Sequence, residues 1–223
     1  FMNDGDGNFT PAEVSPALAE GLVATSARLV DIDSDGDLDL VACHVAHGSV
    51  PADEKASSAS MVIYSNNRDG SYTDVVERLG LAEPLVPAMV VYDDFDNDRD
   101  LDLIILPAGK SPPLVWINDR AWQYRLAKPE EIGLDVQSAF SAVTGDPDKD
   151  GDRDLLVFAR DGLSLYLNDG RFNFRKDEQF SRQFGMLGGT GGQFADLDND
   201  GDLDIVIADA TRPGGSRGPA VLV

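Results

Sequence analysis

Short apolar runs alternate with clusters of Asp along the chain, and the alternation repeats four times. Each Asp cluster leads directly into a short apolar run, at 40–43, 103–106, 155–158 and 205–208. A second apolar run follows each of these, at 61–64, 114–117, 163–167 and 220–223. Runs of this length, rich in β-branched residues, are typical of buried strands. No segment carries a sustained helical period, so the pattern predicts an all-β protein.

Turn signals divide each repeat further. Asn, Asp and Gly follow the second apolar run at 67–70, 118–119 and 168–170, and an aromatic residue comes shortly after each. Such residues between apolar runs are a strong hairpin signal. Four strands in about 50 residues is the size of one propeller blade. The sequence therefore predicts a β-propeller of four-stranded blades, with a β-sandwich as the alternative.

The positions of the repeats also indicate the extent of the domain. The Asp clusters begin at residues 31, 94, 146 and 196, and the longer first interval holds an insertion at 44–60. That insertion is rich in Ala, Ser and charge, which predicts a surface loop and a candidate contact site. Phe1 aligns with Tyr64 and Tyr166, so the chain starts and stops inside the same strand of the repeat. We expect 1–223 to be one propeller domain or a window of a larger propeller, with a complete four-bladed ring as the alternative.

The four Asp clusters, here called Asp loops 1 to 4, span 31–39, 94–102, 146–154 and 196–204. Carboxylates at loop positions 1, 3, 5 and 9, with a carbonyl at position 7, supply oxygens of the number and kind that Ca²⁺ takes. Zinc and copper would require His or Cys, which the loops lack. The predicted metal-site residues are Asp31, Asp33, Asp35, Asp37, Asp39, Asp94, Asp96, Asp98, Asp100, Asp102, Asp146, Asp148, Asp150, Asp152, Asp154, Asp196, Asp198, Asp200, Asp202 and Asp204.

Position 6 of an Asp loop is Gly in three cases, which allows a left-handed backbone there. Arg99 takes this position in loop 2, and a non-Gly residue in that region costs about 1–2 kcal/mol. We therefore expect up to four Ca²⁺ ions, with the 94–102 site the weakest. An EF-hand is excluded because position 12, which would carry a bidentate Glu, is apolar in every loop.

The net charge of the protein limits the kinds of molecule that it is expected to bind. Forty Asp and Glu against 18 Lys and Arg give a net charge of −22, which repels nucleic acid and anionic membranes. No apolar run reaches the roughly 20 residues of a membrane span, so we expect no membrane insertion. Half of the acidic residues lie in the Asp loops. We therefore interpret the negative charge of the protein largely as a consequence of metal binding. The single cysteine, Cys43, cannot form an internal disulfide.

The spacing D-x-D-x-D-G-x-x-D, followed by an apolar strand and an N-x-D-G-x-aromatic turn, resembles the FG-GAP repeat and its VCBS-like relatives. The resemblance covers essentially the whole chain. It implies a calcium-binding propeller like that of integrin α-subunits, with structural calcium. It also implies that Asp31, Asp33, Asp35 and Asp39 ligate by side chain and Asp37 by its carbonyl. Similar proteins are mostly secreted or exposed at the cell surface, so an extracellular location is expected.

Catalytic motifs are absent from the sequence: neither G-x-S-x-G nor H-E-x-x-H occurs. The aromatic residues beside the second hairpin of each repeat are interpreted as packing between blades, although sugar-stacking platforms are the alternative reading; they are Tyr64, Trp116, Trp122, Tyr124 and Tyr166. We therefore predict a non-catalytic module that binds protein or glycan or serves an adhesive or structural role. The alternative is part of a secreted carbohydrate-active enzyme, a lyase or hydrolase.

Overall fold

The computed structural model describes residues 2–11, 22–46, 60–81, 86–120, 123–128, 132–211, 215 and 217–222. Within these ranges the protein is built almost entirely of antiparallel strands. None of the described helices is long and apolar enough to cross a membrane.

Four consecutive sheets form the blades of a β-propeller, and within each blade the strands pair in chain order. Blade 1 comprises β3 (Leu22–Val30), β4 (Asp39–Ala46), β5 (Ser60–Asn66) and β6 (Tyr72–Asp74). Blade 2 comprises β7 (Pro87–Asp93), β8 (Asp102–Pro107), β9 (Leu114–Asn118) and β10 (Tyr124–Ala127). Blade 3 comprises β11 (Ala139–Gly145), β12 (Asp154–Ala159), β13 (Gly162–Leu167) and β14 (Arg175–Lys176). Blade 4 has three described strands, β15 (Gly191–Ala195), β16 (Asp204–Thr211) and β17 (Arg217–Leu222), and a short hairpin of β1 (Met2–Asn3) and β2 (Phe9–Thr10) precedes blade 1. The predicted all-β propeller is confirmed.

The first strand of every blade faces a common centre. A cavity of about 400 Å³ lies there, and each blade contributes to its wall, with Arg28, Tyr92, Thr144 and Gln193 among the lining residues. The second strand of a blade lies deeper in the protein. Every residue of β8 and of β12 is buried, which explains their continuous apolar sequence.

Hydrophobic clusters hold consecutive blades together. One joins blades 1 and 2 around Ile63 and Trp116, and a second joins blades 2 and 3 around Phe95 and Leu155. A third joins blades 3 and 4 around Phe158 and its neighbours. The core therefore lies between the sheets rather than within any one of them.

The predicted packing role of the aromatic residues is confirmed where it can be seen. Tyr64, Trp116 and Tyr166 are at most 5% exposed, and Tyr124 is half-buried. Trp122 lies outside the described residues. Trp116 and Tyr166 lie in the hydrophobic clusters that join blades, and the three buried rings are too enclosed to stack a sugar.

Of the insertion predicted at 44–60, the structure describes only the two ends, and these belong to strands. Strand β4 continues to Ala46 and β5 starts at Ser60, and His44 pairs with Ser60 across the hairpin. Residues 47–59 lie outside the described part of the chain. Cys43 is fully buried in the same strand, and burial raises the pKa of its thiol to about 12.

A short helix accompanies the strands, although no segment of the sequence carries a sustained helical period. Helix α1 (Glu178–Phe184) follows blade 3, and the Asp177 side chain caps it by accepting hydrogen bonds from the Gln179 and Phe180 N–H groups. Phe180 is buried in the cluster between blades 3 and 4. Seven residues make only two turns, which is too short for a helical period to stand out in the sequence.

Candidate metal centres

Each Asp loop connects the first and second strands of its blade, so all four lie at the same end of the propeller. Position 4 has a positive φ near 60° in every loop, at Ser34, Asn97, Lys149 and Asn199. Position 6 is left-handed as well, with φ between 77° and 92°. Arg99 holds this conformation at 77°, as its alignment with glycine predicted. The repeated sequence therefore gives one repeated backbone turn.

The position-1 carboxylate closes the turn by accepting hydrogen bonds from backbone N–H groups of the same loop. In loop 1, Asp31 accepts from the N–H of Asp35 and of Gly36, both at 3.0 Å. Asp94 accepts from the N–H of Asp98 and of Arg99 at the same distances. Arg99 thus keeps the loop geometry that glycine gives elsewhere, and its expected weaker ion binding stays a prediction.

The position-9 carboxylate is buried in every loop. Asp39 accepts from the N–H of Ile32 at 3.1 Å and from that of Asn66, on the third strand, at 2.9 Å. Asp102 makes the same pair of bonds with Phe95 and Asn118. In loops 1 to 3, position 9 therefore ties its loop to the end of the third strand of the blade, a role that the sequence alone did not reveal.

In loop 3, one oxygen of the position-9 carboxylate lacks the hydrogen bond that it accepts in loops 1 and 2. Asp154 accepts from the Asn168 N–H at 2.8 Å, but position 2 is Pro147, which has no N–H to donate. The Oδ2 atom of Asp154 is buried and, among the described residues, has no hydrogen-bond partner. A cation would satisfy this oxygen.

Burial disfavours the ionised form of several loop carboxylates. Desolvation raises the pKa of Asp102 to about 8 and that of Asp154 to about 7. It also raises the pKa of Asp96 to about 6, with the neighbouring Asp98 and Asp94 charges adding to the effect. The common cause is burial, which holds the negative charge of these carboxylates away from water.

The carboxylates converge in threes. In loops 1 to 3 the converging groups come from positions 1, 3 and 9, whereas in loop 4 they come from positions 1, 3 and 5. Within each group, one oxygen per residue lies within 4.8 Å of the others. The groups are Asp31, Asp33 and Asp39; Asp94, Asp96 and Asp102; Asp146, Asp148 and Asp154; and Asp196, Asp198 and Asp200.

The converging oxygens fit a hard cation. The Oδ1 atoms of Asp96 and Asp146 are buried and, in the part of the chain that the structure describes, lack hydrogen-bond partners. A desolvated carboxylate oxygen without a partner is costly, and an ion bound among three carboxylates removes that cost. All donors are oxygens, which suits Ca²⁺.

The remaining predicted residues are at positions 5 and 7 of loops 1 to 3 and at positions 7 and 9 of loop 4, and several are engaged by protein groups. Arg68, from the hairpin turn of blade 1, contacts Asp35 at 3.0 Å and Asp37 at 2.9 Å. Arg120 occupies the corresponding turn of blade 2 and lies 3.4 Å from Asp100. The sequence analysis missed these arginines, although their place in the Asn/Asp/Gly turns was a usable signal.

Neighbouring Asp loops also contact each other across the blades. The Asn97 side-chain amide donates to Asp152 at 2.6 Å, from position 4 of loop 2 to position 7 of loop 3. Lys149 and Asp202 repeat the contact between loops 3 and 4. The position-7 side chains therefore link loops in addition to any role of their carbonyls.

A family model for the FG-GAP-like repeat matches twice, over residues 94–157 and 146–207. The chain belongs to the FG-GAP-like repeat family. The two matches cover Asp loops 2, 3 and 4 with the strands around them, and loop 1 has the same geometry. The resemblance inferred from the spacing of Asp is confirmed.

Two solved structures resemble this FG-GAP protein at 17% sequence identity each. One is an Agrocybe aegerita lectin, described as specifically recognising non-reducing terminal N-acetylglucosamine, with a TM-score of 0.43; the match covers 92% of this chain and 66% of the lectin. The other is the rhamnogalacturonan lyase YesW, with a TM-score of 0.49, covering 88% of this chain and 42% of the lyase. The chain thus spans about two thirds of one and less than half of the other. No curated protein matches it.

Proposed function

We propose that this protein is a calcium-stabilised, extracellular FG-GAP module, non-catalytic, that binds a protein or glycan ligand. The observation that carries the proposal is the convergence of three carboxylates in each Asp loop, with buried oxygens left without partners. Calcium takes 6–8 oxygens in flexible geometry, whereas Mg²⁺ retains its water and avoids all-protein cages. Loop carboxylates, backbone carbonyls and water together supply that number.

Bound calcium would act on the fold rather than on a substrate. In loop 1 the ion would lie among Asp31, Asp33 and Asp39, and Asp39 already holds the third strand through the Asn66 N–H. Each ion would thereby join the loop between two strands to the rest of its blade. Four ions would bring the net charge from −22 to −14 and remove much of the repulsion within the loops.

The extracellular location rests on calcium supply and on the family. FG-GAP repeats are typical of extracellular proteins. Extracellular calcium modules bind with Kd values of about 10⁻⁴–10⁻³ M, which only calcium-rich surroundings saturate. A protein that needs four such ions would be unstable where free calcium is scarce.

Calorimetric titration of the calcium-free protein with Ca²⁺ tests the metal assignment. We expect three to four ions per chain, with Mg²⁺ at the same concentration unable to replace them. The double variant D146N/D148N removes two converging carboxylates of loop 3 and is expected to lower the stoichiometry by one. The matched control D135N changes an exposed Asp outside the loops and leaves the count unchanged. Binding of no ion, or equal stoichiometry in D146N/D148N, would refute the assignment.

A further inference from the structure

A cavity of about 460 Å³ lies between blades 3 and 4, at the end of the blades opposite the Asp loops. Its walls come from the turn between β12 and β13, the start of β11, the segment before β15 and the facing ends of β16 and β17. The volume is within the range of about 300–1,000 Å³ that is usual for small-ligand sites.

One wall of the cavity is apolar and exposed. Phe140 is 47% exposed and Met186 is 79% exposed, and both line the cavity. Phe140 is the extra residue of a β-bulge in β11. The same bulge occurs in β3 and β7, where the extra residues are Thr25 and Ala88. Blade 3 alone of these three places an aromatic ring at this point of the repeat.

Charged residues line the cavity as well, at Arg160 and Asp161 on blade 3 and at Asp209 and Arg217 on blade 4. Arg160 lies in the β12–β13 turn, and within the described residues its guanidinium forms no salt bridge. Arg217 on β17 lies 3.9 Å from Asp209, at the limit of an ion pair. The equivalents of Arg160, six residues beyond the last Asp of the loop, are Val45, Ala108 and Ala210. Phe140 and Arg160 therefore both differ from the residues at the equivalent positions of the other repeats, and both line this cavity.

The backbone around the cavity is also irregular. Asp209 has a φ of 48° and lies where the register between β16 and β17 shifts, whereas the described pairings of the second and third strands in blades 1 to 3 show no such shift. Ser138, next to the start of β11, has a φ of 50° and accepts a hydrogen bond from the Arg160 N–H at 3.0 Å. Positive φ at non-Gly residues and β-bulges both concentrate where side chains are re-aimed for function.

We propose that this cavity binds a short saccharide that carries one carboxylate, such as a uronic acid. The proposal rests on the binding role proposed above and names its ligand class. The Phe140 ring provides a flat apolar surface for the C–H face of a sugar. Arg160 provides a planar fork for a carboxylate, and Asp161 and Asp209 accept hydrogen bonds from hydroxyl groups. The net charge of −22 disfavours long polyanions, so a single carboxylate fits best.

Calorimetry with two matched disaccharides tests the proposal on the full chain in saturating Ca²⁺. The probes are glucuronosyl-glucose and its neutral counterpart glucosyl-glucose. We expect the acidic disaccharide to bind about tenfold more tightly, the size of one hydrogen bond between charged groups. R160Q is expected to abolish that preference, and F140T, which restores the residue found in blade 1, to weaken both disaccharides. R182Q, an exposed arginine on α1, is the matched control and leaves binding unchanged.

Two results would overturn the proposal: no binding of either disaccharide to folded protein, or equal binding of both. An acidic preference that survives in R160Q would equally contradict it. Counting calcium ions in the same samples separates the two proposals, because the cavity and the Asp loops lie at opposite ends of the blades. A protein that binds calcium but no saccharide refutes only the ligand, and one that binds the saccharide without calcium refutes only the metal.

Discussion

Asp loops 2 and 4 share one nine-residue pattern, but the protein surrounds them differently. In loop 2, Phe95 is fully buried, and its ring centroid lies 5.6 Å from those of both Phe172 and Phe174 on blade 3. The equivalent residue of loop 4, Leu197, is 50% exposed. The converging carboxylates of loop 4 are exposed too, whereas Asp102 of loop 2 is fully buried.

The difference teaches that the pattern and the environment have separate origins. The Asp spacing gives both loops the same turn, with position 1 accepting from the position-6 N–H at 3.0–3.1 Å. For loop 2, the outer hairpin of blade 3 supplies this burial through Phe172 and Phe174. The depth of burial then determines how much a calcium-free loop destabilises the folded protein. Loops with the same motif are therefore expected to differ in their contribution to stability.

Truncating position 2 in each loop should give the largest contrast. F95A removes a ring packed against two others and should lower the free energy of unfolding by about 3–5 kcal/mol. L197A should lower it by about 0.5 kcal/mol or less, since its side chain is largely solvated. Urea unfolding in saturating Ca²⁺ measures both. Equal losses would show that the two loops are in fact equivalent.

The pH dependence of the calcium-free protein should come from the buried loops. The folded-state pKa of Asp102, about 8, exceeds its unfolded value of about 3.9, so the folded protein binds the extra proton between these values. Stability should therefore fall as the pH rises from 4 to 8, by several degrees in the unfolding midpoint. D102N should flatten this slope. A midpoint that rises with pH without calcium would contradict the account.

Exchanging the position-6 residues tests whether loop 2 is weakened by Arg99. R99G should stabilise the protein by about 1 kcal/mol and tighten calcium binding at loop 2, because it relieves a left-handed non-Gly residue. G201R should impose a similar penalty on loop 4, where a Cβ meets no close neighbour and only the backbone conformation is strained. Calorimetric Kd values for both variants provide the comparison. If neither variant shifts a Kd, the conformation of position 6 does not limit binding.

The link between loops 3 and 4 should have the smallest effect. K149Q removes an exposed contact with Asp202, and such pairs contribute about 0–1 kcal/mol. The loss should shrink further in high salt. Unfolding at low and high salt checks this, and a salt-independent loss well above 1 kcal/mol would indicate a structural role for Lys149 beyond its charge.

Local features were the ones that the sequence predicted well. The second strands, the left-handed backbone at Arg99 and the clustering of Asp all depend on residues close together in the chain. The sequence analysis missed the short helix α1 because two turns carry too little periodicity to stand out. Asp177 was nevertheless a recognisable N-cap signal.

Features that depend on a neighbouring strand or blade could not be predicted. The hydrogen bond from the Asn66 N–H to Asp39 joins residues 27 apart, and the burial of Phe95 depends on rings in blade 3. The pairing of Arg68 with Asp35 likewise requires knowing that the hairpin turn lies beside the loop. The unequal environments of the Asp loops are therefore a property of the assembled propeller.

Thermal unfolding of the unaltered protein in millimolar Ca²⁺ and in excess EGTA tests the central claim most directly. A single site at a hundredfold excess over its Kd contributes about 2.7 kcal/mol, and 1 kcal/mol shifts the midpoint of a chain this size by about 2–4 °C. We therefore predict that calcium raises the midpoint by at least about 10 °C, and that equimolar Mg²⁺ does not. Identical midpoints in calcium and EGTA would show that the Asp loops are solvated turns and would contradict the calcium assignment.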